Sequence, residues 1–138
     1  MTDNQRQPPP TVVYQYELSE GWIAQAGRTD ADNDRLSLAL AAPDDWWFHA
    51  HGFPGSHVLL RARPGLEPSR DVLKEAAAIA AYHSKAREAG VVPVVATLAR
   101  HVSKPKDAKA GTVTIRKELI LKVRPGLPCE NQPLPTRL

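Results

Sequence analysis

Cysteine is nearly missing from this chain: Cys129 stands alone in 138 residues, so no internal disulfide can form. Its place in a proline-rich tail marks it as an incidental thiol rather than a nucleophile, and the lack of disulfides points to the cytoplasm. Long hydrophobic runs are absent too. No apolar stretch approaches the ~20 residues of a membrane span, and the N-terminus lacks a charged-then-apolar signal pattern, so no membrane is expected among the partners. There is no internal repeat, no coiled-coil heptad and no phosphate-loop glycine pattern, and nothing calls for a cofactor. Aromatic rings are scarce, eight in all, yet Trp46, Trp47, Phe48 and Phe53 fall together with three of the five histidines between residues 45 and 60.

Net charge is only +3, but it is unevenly spread. Residues 1–50 carry eight acids against three bases, residues 51–99 four against six, and residues 100–138 three against nine. A field concentrated at the C-terminal end suits a polyanionic partner; a solvated basic surface is the plainer account.

The aromatic segment reads as two short strands about a Pro54-Gly55 bend. Asp45, Trp47, His49 and His51 share one strand face and Trp46, Phe48 and Ala50 the other. Before it, residues 12–18 and 22–26 form a hairpin turned by Ser19-Glu20-Gly21, and an acid-rich helix starts near Asp30 and runs to Leu40 before Pro43. After it, Ser69 caps a long helix from about Arg70 to Glu88, stopped by Gly90. Its alanines let it lie close to a sheet. Residues 91–102 are β-rich, with Pro93 placing their start at an edge. A loop with Lys104, Lys106 and Lys109 follows, and then residues 112–115 and 118–123, which alternate enough to pair through Arg116-Lys117.

The expected fold is α+β: a mixed, largely antiparallel sheet of six to eight short strands, one long helix packed on it and one short helix. One domain spans 11–125, with a disordered arm at 1–10 ending in Pro8-Pro9-Pro10 and a flexible proline-rich tail at 126–138.

The run Asp45-x-Trp47-Phe48-His49 followed by Pro54-Gly55-Ser56-His57-Val58 resembles the signature of the NFACT-R domain, the RNA-binding module of the NEMF and RqcH ribosome quality-control proteins. Four further blocks match in order: Gly27-Arg28 with Asn33-Asp34-x-Leu36, Ala76-Ala77 to Tyr82-x-Ser84-Lys85-Ala86-Arg87, Val102-x-Lys104-Pro105-Lys106, and Ala108-Lys109-x-Gly111-x-Val113. The full-length proteins add an NFACT-N domain, helix-hairpin-helix elements and a coiled coil, for which 138 residues leave no room, so a stand-alone version is expected. The resemblance implies binding to tRNA or ribosomal RNA, with the ribosome or a partner chain nearby. In the multidomain relatives the module belongs to machinery that recruits tRNA to stalled large subunits.

RNA binding needs cations for phosphates and planar groups for unpaired bases. The candidate set is Arg28, Asp45, Trp47, His49, Ser56, His57, Lys85, Arg87, Lys104, Lys106 and Lys109. Each has a structural alternative. Trp47 suits a core, His49 suits a bond to Asp45, Arg28 suits a salt bridge to Asp30, Asp32 or Asp34, and Lys85 and Arg87 suit the end of a helix dipole. Other readings are a protein-interaction module docking on a ribosomal partner, a hydrolase or nuclease built on Asp45, His49, Ser56 and His57, and a metal site from His49, His51 and His57. Ser56 and His57 point apart on a strand and no nucleophile elbow surrounds Ser56, so a non-enzymatic domain without a metal is the expectation.

Overall fold

A strand whose two faces both carry bulky apolar residues needs cover on both sides, and the central hairpin is covered twice. In the computed structural model, which describes residues 11–128 and 135–137, β1 (Val12–Glu17) and β2 (Ile23–Gly27) form the first hairpin. Glu20 and Gly21, at φ 61° and 82°, reverse the chain between them. The helix α1 (Asp30–Asp34) starts where Thr29 Oγ1 accepts from Asp32 N–H at 3.0 Å, and it widens into a π-helical turn over Arg35–Leu40. There follow β3 (Trp46–Ala50), β4 (Val58–Leu60), α2 (Arg70–Tyr82), β5 (Val92–Leu98), the short β6 (Val102–Ser103) and β7 (Thr114–Ile115), β8 (Leu119–Val123) and β9 (Pro135–Arg137). The arm at 1–10, Cys129 and part of the tail lie outside the described residues.

Among the described residues, seven strands form one sheet in the order β8-β5-β3-β4-β2-β1-β9, each pair antiparallel, and β6 pairs with β7 apart from it. With a long helix and a short one, this is the α+β architecture expected. On one face α2 lays Val72, Ala76, Ala77, Ile79 and Ala80 against Phe48, Ala50, Val58, Leu60 and Val94, all fully or almost fully buried. Each such large side chain is worth about 1.5–3 kcal/mol when taken from water. The other face is a smaller cluster of Val13, Leu36, Trp47 and Leu59, rimmed by Val102, Val113 and Ile115.

Three expectations are corrected by this arrangement. The long helix stops at Tyr82 rather than Glu88, because His83–Lys85 leave it to bond the hairpin turn: Ser56 N–H donates to His83 O at 3.0 Å and Lys85 N–H to Pro54 O at 2.9 Å. Residues 112–115 and 118–123 do not pair with each other. Arg116 O accepts from the buried Thr97 hydroxyl at 2.7 Å and Lys117 adopts φ 56°, which sends β7 to β6 and β8 to β5. Pro93 lies in an inner strand, second from its start, where one missing donor is tolerated. Within the C-terminal tail, Pro135–Arg137 form a strand opposite Val12–Tyr14.

Candidate nucleic-acid interface

The turn between β3 and β4 is the point on which distant segments converge. Gly55 packs so close to Ser84 that a Cβ there would sit 2.7 Å from the serine Cβ and 2.8 Å from its Cα, so only glycine fits. Ser56 Oγ donates to Gly27 O at 2.6 Å, and Asn33 Oδ1 accepts from His57 N–H at 3.0 Å. Three stretches of the chain, near residues 28, 55 and 84, are thereby tied together.

Two open clefts flank this knot. One, of about 260 Å³, is lined by Arg28, Thr29, Ser56, His83, Ser84 and Lys85. The other, of about 440 Å³, is lined by His49, Gly52, Phe53, Ala110, Gly111 and Thr112. Asp30, Asn33, Pro54 and Gly55 belong to both walls, so the clefts run on as one trough from Arg28 and Lys85 to the lysine loop. A larger cavity of about 760 Å³, lined by Trp22, Trp46, Leu66 and neighbours, shares no residue with the trough.

The candidate residues divide into two groups. Arg28, Lys85, Arg87, Lys106 and Lys109 are exposed, and none of them enters an ion pair among the described residues. Arg28 lies over the Tyr14 ring at 5.4 Å, and Tyr14 stacks on His83 with centroids 5.1 Å apart. Arg87 Nε donates to Tyr82 O at 2.7 Å and its guanidinium covers that ring, so it caps the end of α2 as the dipole favours.

The second group is committed inside the fold. Asp45, 1% exposed, accepts from Ala42 N–H at 2.8 Å and Ala62 N–H at 2.6 Å and pairs with Arg61 at 3.4 Å, clamping both ends of the central hairpin. Trp47, 2% exposed, offers no face to a base; its Nε1–H donates to Ser37 Oγ at 2.9 Å. That indole nitrogen can only donate, which leaves the Ser37 hydroxyl proton for His57 Nδ1, 2.8 Å away. His57 is itself 3% exposed. Burial, reinforced by the neighbouring His49, lowers its pKa to about 4, so it is neutral near pH 7. Burial lowers His49 as well; this half-buried ring stacks on Trp47 and meets His57 edge-on at 5.4 Å.

Lys104 faces inward too. Its ammonium donates to Asp34 Oδ2 at 3.0 Å, Lys109 O at 2.6 Å and Thr112 O at 3.3 Å, while Asp34 Oδ1 accepts from Gly111 N–H at 2.9 Å. It cross-links the loop that displays Lys106 and Lys109. Arg100 is paired with Asp44, and Arg63 lies over Trp22 while donating to Glu20 O.

Several residues of the alternative readings are engaged elsewhere. Asp45 touches neither histidine, Ser56 Oγ is spent on a carbonyl and His57 Nδ1 faces Ser37, so no acid–base relay links them. His51 is exposed, and among the described residues no group of three His, Cys, Asp or Glu is placed to hold a metal ion. The residues that sequence reasoning missed as site builders are Asn33, Asp34, Ser37, Tyr14 and His83. Asp34 carried a signal, an acid in a helix facing a chain end rich in lysine, but its partner lies 70 residues away.

Fold and trough together define a small α+β domain whose open cleft has Arg28 and Lys85 at one end and residues 110–112 of the lysine-bearing loop at the other. Residues 12–117 match the family described as the NFACT protein RNA binding domain. The Rqc2 homolog RqcH of Bacillus subtilis (strain 168) is 41% identical over 114 residues, which is 83% of this chain and 20% of that protein. The Rqc2 homolog RqcH of Streptococcus suis (strain 05ZYH33) is 40% identical over 103 residues, 75% of this chain and 18% of that protein. The solved C-terminal part of the fibronectin/fibrinogen-binding protein from Streptococcus suis superposes with a TM-score of 0.76 at 37% identity, covering 89% of this chain and 47% of that one. The chain therefore belongs to the NFACT-R family of RNA-binding domains, and it spans about a fifth of the length of the curated relatives it matches.

Proposed function

We propose that the trough is where this domain holds RNA, of the tRNA or ribosomal class, and that it does so as a binding module without chemistry of its own. The observation that carries this reading is the adjoining of two clefts at Pro54 and Gly55, with Arg28 and Lys85 lining one end and Ala110, Gly111 and Thr112, which follow the exposed Lys106 and Lys109 in the chain, lining the other. Asp30 on the shared wall repels phosphate from the middle, so the phosphates fall at the two ends. Planar contact for an unpaired base comes from Phe53, 39% exposed, and from the layered Arg28, Tyr14 and His83, not from Trp47. The likeness to RqcH supports a setting in ribosome-associated quality control in the cytoplasm, with the ribosome or a partner chain supplying the remaining parts.

Titration with tRNA and with a ribosomal RNA hairpin, read by fluorescence anisotropy across a salt series, tests the proposal. Arg28→Ala, Lys85→Ala, Lys106→Ala and Lys109→Ala should each weaken binding and reduce the log–log salt slope by about one. Lys74→Ala, on the exposed side of α2, should change neither. Absence of RNA binding even at low ionic strength overturns the proposal in favour of a protein-docking module.

A further inference from the structure

The two edges of the sheet are finished differently. At one, Pro135–Arg137 pairs with β1 and covers it. At the other, β8 pairs with β5 alone, and among the described residues nothing lies hydrogen-bonded along its outer side. An open strand presents a row of N–H and C=O groups to any extended chain that reaches it, and folds usually blunt such edges with prolines, bulges or very short strands. β8 has no proline, runs for five residues, and keeps an unbroken register from Val92 opposite Val123 to Ala96 opposite Leu119. Its one concession to protection is the charge of the exposed Lys122.

The surface around this edge has a distinct chemistry. Leu119 and Ile120 point to opposite faces of the sheet and are 39% and 44% exposed, so apolar surface borders the edge on both sides. Arg116, Lys117, Lys122 and Arg124 are all exposed along it, against the single acid Glu118. None of these residues lines the trough.

We propose that the outer edge of β8 is a docking site for an extended, acidic segment of a partner protein, added as a further antiparallel or parallel strand. Main-chain bonds along the edge supply the attachment, while the apolar side chains of the incoming strand cover Leu119 on one face and its acids meet Lys122, beside Ile120, on the other. Charge selects the partner. A second copy of this chain would set one basic edge against another, and like charges directly opposite destabilise a strand pair. RNA would meet the four cations but has no use for the ladder or for the two apolar side chains. A peptide with acids at alternate positions joins the ladder, covers Leu119 with its apolar face and sets its acidic face against the cations.

Amide spectra of the isotopically labelled chain, titrated with a synthetic peptide of about seven alternating glutamates and valines, test this. Shifts and slowed hydrogen exchange should concentrate on Leu119–Val123. The exposed pair Lys122→Glu with Arg124→Glu should keep the spectrum of a folded chain and bind about tenfold more weakly. A lysine–valine peptide binding equally well, shifts confined to the trough, or no shifts at all would overturn the proposal. So would protection of β8 by a short oligouridylate in place of the peptide. RNA titration of the same double variant separates this site from the trough, since loss at β8 leaves trough binding intact.

Discussion

Ser37 Oγ sits between an indole N–H and an imidazole nitrogen, and that one hydroxyl explains why the ring expected to face solvent does not. Donation from Trp47 satisfies the only polar atom of the indole, so the side chain can be buried without an orphaned donor. Trp47→Phe removes the bond while keeping most of the ring volume, and it leaves Ser37 free to serve His57. We expect a loss of about 1 kcal/mol in stability, the ordinary net worth of one such bond. Affinity for RNA should be unchanged, because the ring is 2% exposed. Thermal melts and anisotropy on the same preparation check both halves. A variant with a native midpoint and lost RNA binding would return Trp47 to the interface.

At the scale of elements, the decisive contact is the one between the β3–β4 turn and the segment that leaves α2. Gly55→Ala places a methyl within 3 Å of Ser84 Cα and against His83 O, where the backbone must shift. Overpacking of this kind costs about 1–3 kcal/mol, a drop of roughly 4 °C per kcal/mol for a domain of this size. Gly126→Ala, with nothing within 4 Å of its new Cβ, should be close to neutral. Because Gly55 belongs to both cleft walls, its substitution should also weaken RNA binding, a coupling that circular dichroism melts and titration would reveal together. The same contact marks the limit of what the sequence showed. The period-two pattern of residues 46–50 and the helical pattern after Ser69 are local signals, and both elements begin where they were expected. What stops α2 at Tyr82 is a hydrogen-bonding partner some thirty residues earlier, and what turns Lys104 inward is an acid 70 residues earlier. Neither leaves a local trace. The aromatic face of β3 was legible as a face, but whether α1 or water covers it is decided by topology. Arg28 and Lys85, by contrast, were identified from the ordered blocks and lie in one cleft.

For the whole molecule, the two faces of the sheet carry a common liability to acid. His57 is buried on the side of α1, and His83 stands at the end of α2, where its Nε2 is 2.5 Å from Tyr16 Oη. Burial lowers both to about 4, with Arg87 adding to the effect at His83. The unfolded chain takes up protons at histidine near pH 6.5, while the folded chain resists them until about pH 4. Between those limits the unfolded state binds more protons, so stability falls as pH falls and levels off below the folded values. At pH 5 the contribution of His57 alone is on the order of 2 kcal/mol, since the pH is then about 1.5 units below the unfolded pKa. Acid carboxylates titrate mostly lower, which makes the range from pH 6.5 to 5 the informative one. Denaturant unfolding should therefore show a midpoint that declines across this range in the native chain. In His83→Phe, which keeps a ring beside Tyr14 but removes one titrating group, the decline should be shallower. Equal slopes in the two proteins would mean that His83 takes up its proton as readily when folded as when unfolded, and that the acid sensitivity arises on the other face alone.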